Sequence, residues 1–417
     1  MSFTSRASSD QIFAHLIRRP LLSICTGILL ICLILWYERS PGHDNYLLGA
    51  RGVWHSKDRN KLIFDHNQCQ TAFPALFDEV KRAVEGRSAN RITLEELDRI
   101  EPKNGYVRAM IYDQELYIIQ KQGGIYSREL ATLQAIYRAV ITSPEPLPNI
   151  EFVFNTDDII FEHEPIWAYA RKAEHDHIWL MPDFGFFSWP ETHAGSVNEV
   201  QMRALEMESR DHLSWRSKVD KLLWRGATMG LPLRDRLLDV TRHKEWADVV
   251  ALDWHNAESM SHDLKSMPQH CEYKYLAHTE GNSYSGRLKY LQACESVIIA
   301  HEMDWIQHYY PLLTPHPGPN QNIVEIDRDF DSLEATIDYL RKNQGEAQKI
   351  AKNSVRVFRD RYLTPAAEVC YWRNLIRGWA EVSFEPEFHK VVNGTKTWRG
   401  LSFADFALER RLEWDPY

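Results

Sequence analysis

YKYLAHTEGNSYSGRLKYLQACESVIIAHE, residues Tyr273 to Glu302, decides how the rest of the chain is read. Tyr275, Leu276 and Ala277 give a first strand an apolar body, and Glu280-Gly281-Asn282-Ser283 breaks it. Leu288, Leu291 and Cys294 recur at helical spacing, and Val297-Ile298-Ile299-Ala300 has the unbroken apolar character of a buried strand. Ser283 or Ser285 can cap the helix, while Gly281 and Gly286 let a ligand approach the backbone. A helix start presents unpaired N–H groups, and Arg287 adds a full positive charge, which together suit a diphosphate. An ordinary loop with a solvated arginine fits the same pattern.

The alternation continues on both sides. Leu222-Leu223-Trp224 is a strand followed by Arg225-Gly226-Ala227-Thr228, then a helix from Pro232 to His243 and a strand from Asp248 to Leu252. Trp305 to Leu313 reads as helical and Asn322 to Ile326 as a strand. Ser332 to Leu340 reads as a helix with a capping pair at Asp331 and Glu334. Strands and helices in strict turn predict a parallel sheet covered on both faces, a Rossmann-like domain over 215–345. Helices follow over 346–385 and a polar-aromatic tail over 386–417. Upstream, Val107 to Lys121 is a hairpin across Asp113-Gln114, and Ser127 to Val140 an amphipathic helix. Strands at Ile150–Phe154 and Ile178–Met181 complete an α/β domain over 61–214.

Leu21 to Tyr37 carries no charge and follows Arg18-Arg19-Pro20. Seventeen helical residues span about 25 Å, enough for a thin bilayer, so the segment is expected to be a transmembrane signal anchor. Arg6, Arg18 and Arg19 against Asp10 put a tail, 1–20, in the cytosol. Residues 38–60 are then a stem, and the catalytic mass is lumenal, as in a single-pass type II protein of the Golgi or endoplasmic reticulum membrane. Cys69, Cys271, Cys294 and Cys370 allow three pairings, and the helical spacing of Cys294 leaves room for one or more to stay reduced. A net charge of −9 gives no basic footprint for nucleic acid. The fourteen tryptophans can stack on sugars or fill a core.

Ser285-Gly286-Arg287-Leu288-Lys289 and Trp224-Arg225-Gly226 resemble the signature of glycosyltransferase family 90, which holds fungal capsule-associated xylosyltransferases and protein O-glucosyltransferases. The likeness runs over roughly 151 to 363. It implies a GT-B architecture: two Rossmann-like domains facing a cleft, the C-terminal one holding UDP, joined again where 346–385 cross back. It further implies an inverting transfer of glucose or xylose from a UDP-sugar to a hydroxyl of a glycan or protein acceptor, with no cofactor required. Where the family pattern often continues Ser-Arg-Thr, this chain has only Ala227-Thr228, which leaves the role of Thr228 open.

Candidate site residues follow. Arg225, Gly226 and Thr228 at a strand's carboxyl end, with Gly281, Ser283, Ser285 and Arg287, are expected to hold the UDP-sugar. Glu280 can accept from ribose hydroxyls or cap the turn. Asn155-Thr156-Asp157-Asp158 resembles the family's Asn-x-x-Asp, whose last acid is the proposed general base, so Asp158 is the catalytic candidate. Asp157, Asp183 and Trp189 are candidates for an acceptor or sugar wall. His and Cys spacing gives no metal quartet. Asp327-Arg328-Asp329 spells the DXD of metal-dependent transferases, one rival reading. A membrane-anchored lectin or inactive homologue is the other.

Overall fold

A computed structural model describes residues 54–160 and 163–409. Its first sheet is built on β1 (Tyr106–Tyr112), β2 (Glu115–Gln122), β3 (Ile150–Asn155), β4 (Ile166–Ala168) and β5 (Ile178–Leu180). β1 and β2 form a hairpin turned at Asp113 and Gln114, whose φ of 48° and 66° belong to the two-residue turn that matches strand twist. β3 runs antiparallel to β1, whereas β4 and β5 continue parallel to β3. The sheet is therefore mixed, which corrects the expectation of two Rossmann-like domains. A two-residue connection cannot make a parallel pair, because that needs a crossover of a dozen or more residues.

The second sheet has β6 (Val219–Gly226), β7 (Ala247–Ala251), β8 (Tyr273–His278), β9 (Val297–His301) and β10 (Val324–Ile326). It is parallel throughout, in the order β10-β9-β8-β6-β7. The chain steps outward from β6 to β7, then returns to lay β8 on the other side of β6. That reversal opens a crevice at the carboxyl ends of β6 and β8, the place where open α/β sheets bind ligands. Successive side chains alternate faces. Tyr275, Ala277, Val297 and Ile299 pack with Ile337, Leu340 and Ile350 of the flanking helices Leu333–Lys342 and Gln344–Val357. Leu276, Ile298 and Ala300 enter the larger core shared with the first sheet.

Helix Pro365–Val382 packs on the first sheet. Its Trp372 and Trp379 meet Trp167, and Trp379 also meets Trp179. The Trp379 indole donates to the Glu151 carbonyl at 2.9 Å. These tryptophans fill the core. After a hairpin of β11 (His389–Val392) and β12 (Thr395–Trp398), β13 (Leu401–Ser402) returns to pair with β2.

Local expectations fail where tertiary partners win. Trp305 to Leu313 is not a helix: Ile306 exchanges backbone hydrogen bonds with Arg171, leaving only a short 3-10 turn at Tyr310–Leu312. The helix at Leu333 is capped by Asp327, which accepts from the Asp331 and Ser332 amides, and not by Asp331.

The anchor expected at Leu21–Tyr37, with the tail before it and the stem up to residue 53, lies outside the described residues. Among the described residues no helix is long and apolar enough to cross a membrane. The fold class is corrected accordingly to a mixed α/β architecture with two main sheets. The membrane partner and the single-pass type II placement in the Golgi or endoplasmic reticulum, which rested on that anchor, are withdrawn.

Among the described residues two disulfides are present, Cys69–Cys370 and Cys271–Cys294, so Cys294 is bridged and not reduced. The first ties helix His66–Ala72 to helix Pro365–Val382 across 301 residues of chain. Replacing both of its cysteines with serine should cost about 2–5 kcal/mol of stability. A lowered thermal midpoint would register this; an unchanged midpoint would mean that packing alone holds the two helices.

Candidate active site

The crevice between the ends of β6 and β8 opens into a cavity of about 650 Å³. Its walls come from both sheets. Arg128 stands in the first turn of helix Tyr126–Ile141, and Asp158 follows β3. Arg234 stands in the first turn of helix Pro232–Thr241, and Ser285 and Arg287 follow β8. Leu252, Trp254, Leu264 and Met267 also line the cavity, with Lys265, Gln269 and His270 among them. A second cavity of about 1230 Å³ adjoins it, sharing Gly281 and Asn282.

Arg287 and Arg234 dominate the electrostatics. The Arg287 guanidinium lies 5.5 Å from the Trp224 ring, and its Nη1 is shut off from solvent without a hydrogen-bond partner. Burial, with the nearby Arg234 charge, pushes its pKa down to about 9. Arg234 is 6% exposed and donates to the carbonyls of Glu280 (3.1 Å) and Ala227 (2.7 Å). Burial lowers its pKa as well, while the Asp158 carboxylate opposes that shift. Among the described residues neither guanidinium has a carboxylate in ion-pair contact. Two adjacent cations, one buried and one partly buried, without carboxylates in ion-pair contact cost solvation energy that a bound anion would return. Glycines make room for them. A Cβ on Gly226 would stand 2.7 Å from Arg287 Nη2, and one on Gly281 would stand 3.1 Å from Arg234 Nη2.

Arg225 reaches the cavity wall but is spent on structure. Its Nη2 pairs with Asp248 at 2.6 Å, and its Nε and Nη1 donate to the Asp263 and Asp248 carbonyls. Thr228 does not line the cavity; its carbonyl accepts from the Leu231 amide in the turn before the helix. Ser285 lines the cavity, whereas Ser283 is fully buried below it with its hydroxyl unpaired. Neither serine caps a helix, and the helix after the turn is only Leu288–Leu291. The positive end is thus made by guanidinium groups more than by a helix dipole, which needs a longer run of aligned peptides.

Glu280 faces the larger cavity and is already engaged, accepting from the Trp305 amide at 2.8 Å and pairing with Arg328 at 3.3 Å. Burial raises its pKa, against those contacts. Its own amide donates to His301 Nε2, whose Nδ1–H donates to the Glu302 carbonyl, so the loop start is fixed by a neutral imidazole.

The two neighbouring acids part company. Asp158 lines the cavity and pairs with Arg128 at 3.0 Å, and that guanidinium sits 4.7 Å from the Phe184 ring. Asp157 turns away and accepts from Asn104 at 2.9 Å. Asp183 is not on the wall: it is 2% exposed and pairs with Lys289 at 2.8 Å. Trp189 is on the wall, edge-to-face with Phe184 at 5.4 Å.

Sequence reasoning missed Arg128, Arg234 and His270. A signal existed for the first two, because each stands in the first turn of a helix, where the dipole favours acids. His270 offered none. Its Nδ1 meets the Ser266 carbonyl at 2.9 Å, its Nε2 is unpaired, and burial pushes its pKa down to about 4.

Asp327 of the Asp-Arg-Asp triplet spends its carboxylate on the helix start; burial is the largest single influence and raises its pKa, but the hydrogen bonds from Ser332, Asp329 and Asp331 together outweigh it and bring the pKa down to about 2. Among the described residues no group of three or more His, Cys, Asp or Glu side chains could hold a metal ion.

Residues 67–396 match the model of glycosyl transferase family 90. Similar curated proteins include protein O-glucosyltransferase 1 of Homo sapiens, 23% identical over 253 residues, covering 56% of this chain and 63% of that protein. The O-glucosyltransferase rumi of Drosophila pseudoobscura pseudoobscura is 24% identical over 296 residues, covering 66% of this chain and 70% of that protein. The rumi homolog of Aedes aegypti is 26% identical over 260 residues, 57% of this chain and 62% of that protein. The matched part spans roughly two thirds of the length of these relatives. The chain belongs to glycosyl transferase family 90.

Proposed function

We propose that this family 90 member moves a hexose or pentose, glucose or xylose, from a UDP-sugar to a hydroxyl of a protein or polysaccharide, with inversion at the anomeric carbon. The relatives' names favour glucose as the sugar and protein as the acceptor. The observation that carries the reading is the pair of uncompensated guanidiniums, Arg234 and Arg287, in one cavity with the Asp158 carboxylate.

The cavity matches a nucleotide-sugar in its parts. The diphosphate goes to the cationic wall and the base toward Leu252, Trp254 and Met267, which leaves the sugar near Asp158 and Trp189. Asp158 takes the proton from the acceptor hydroxyl as its oxygen bonds to the anomeric carbon. The bond from that carbon to the diphosphate breaks, and its electron pair goes to the departing phosphate oxygen. Arg287 and Arg234 neutralise the charge that develops there, where fixed cations in a sheltered site act most strongly. Arg128 holds the base in place through its ion pair.

The test is UDP release by the purified chain across a panel of UDP-sugars with peptide and glycan acceptors. Turnover with UDP-glucose or UDP-xylose, undiminished by excess chelator, is expected. Glycan binding without UDP release from any donor would instead favour the lectin-like reading. Loss of turnover in chelator would favour a metal-dependent transferase.

A further inference from the structure

We infer that Lys289, paired with Asp183, is a positioning residue that holds the Arg287 turn from the opposite sheet. The inference rests on the reading of that turn as the phosphate seat. Lys289 does not line the cavity. It is 1% exposed, and its Nζ donates to Asp183 (2.9 Å) and back to the carbonyl of Gly286 (2.6 Å), the residue just before Arg287.

Asp183 follows β5 of the first sheet and is held in turn. It accepts from the Gly185 amide at 2.8 Å and from the Gln307 side chain at 3.1 Å. Tyr290 adds a second tie across the same seam, its hydroxyl 2.9 Å from the Gly185 carbonyl. Trp189 closes over Gly286, where a Cβ would come within 3.2 Å of the ring. A cation whose only described anionic partner lies on the other sheet, and which also grips the peptide leading into Arg287, fixes where that guanidinium points. Burial of the pair makes it a poor source of stability and a good source of geometry, since replacing both charges is tolerated better than removing one.

The experiment therefore uses the charge-neutral double variant Asp183→Asn/Lys289→Met in the whole chain, with hydrogen exchange in ligand-free protein and UDP titration as readouts. A single cooperative melt confirms that the variant folds. The amides of Leu288, Tyr290 and Leu291, which donate within the turn, are expected to exchange at least about tenfold faster than in wild type. UDP should bind about tenfold or more weakly, with the KM for acceptor unchanged. A purely structural pair would lower the melt yet leave both the exchange of those amides and the UDP affinity within about twofold, which would overturn the inference. Were wild type itself not to bind UDP, the donor reading would fall, while the exchange result would still decide the role of Lys289.

Discussion

Arg287→Ala is expected to lower kcat/KM with a UDP-sugar by about 10²–10³, or roughly 3–4 kcal/mol of transition-state stabilisation. The size follows from its surroundings. Its Nη1 has no partner, so the charge is not already spent on a carboxylate, and burial has pushed its pKa down to about 9. For the same reason the fold should not suffer. Removing an unpaired, partly buried cation leaves no orphaned acid and relieves repulsion with Arg234, so the thermal midpoint should hold or rise slightly. UDP-release kinetics beside a thermal melt separate the two. Wild-type turnover in the variant, or a rate loss that merely tracks a fallen midpoint, would count against the phosphate role. Arg225→Ala makes the contrast: its guanidinium is bound to the Asp248 carboxylate and to three backbone carbonyls, those of Asp263, Trp224 and Asp248, so its loss should appear mainly as lost stability.

Asp158→Asn is expected to cut kcat by about 10²–10⁴, the range for removal of a general base, while UDP affinity stays within about threefold. Asparagine keeps an oxygen for Arg128 to bond but cannot take a proton. The neighbouring Asp157→Asn is the built-in control. Its side chain accepts from Asn104, outside the cavity, and its rate should stay within about threefold of wild type. Equal losses from the two substitutions, measured as single-turnover transfer at saturating donor, would remove Asp158 from the base role.

The parallel sheet was legible because both its faces are buried. Val297-Ile298-Ile299-Ala300 and Tyr275-Leu276-Ala277 read as continuous apolar runs, as strands covered on two sides must. The first half was less legible. β4 and β5 are three residues each, too short for any period to show, and the antiparallel setting of β3 is fixed by packing rather than by its own residues. Arg287 and Asp158, singled out by motif likeness, both line the cavity. Adjacent Asp157 and Asp158 are equivalent on paper, and only the Asn104 contact separates them. Arg225 looked like a phosphate ligand at a strand end because nothing in its vicinity announced Asp248 as a partner one strand away. Asp183 looked like a sugar ligand because its partner lies 106 residues onward. Glu280 and Thr228 sit at the right strand ends but turn to backbone and neighbours. Arg234 and Arg128 were not singled out, since which helix face meets a cavity is decided by the fold.

A crystal structure of the chain with UDP measures directly where the nucleotide's phosphates sit. The expected result has diphosphate oxygens within hydrogen-bond distance of both Arg287 and Arg234, with the Asp158 carboxylate facing the open end of the β-phosphate. UDP seated instead in the larger neighbouring cavity, or bound with those two guanidiniums still empty, would contradict it.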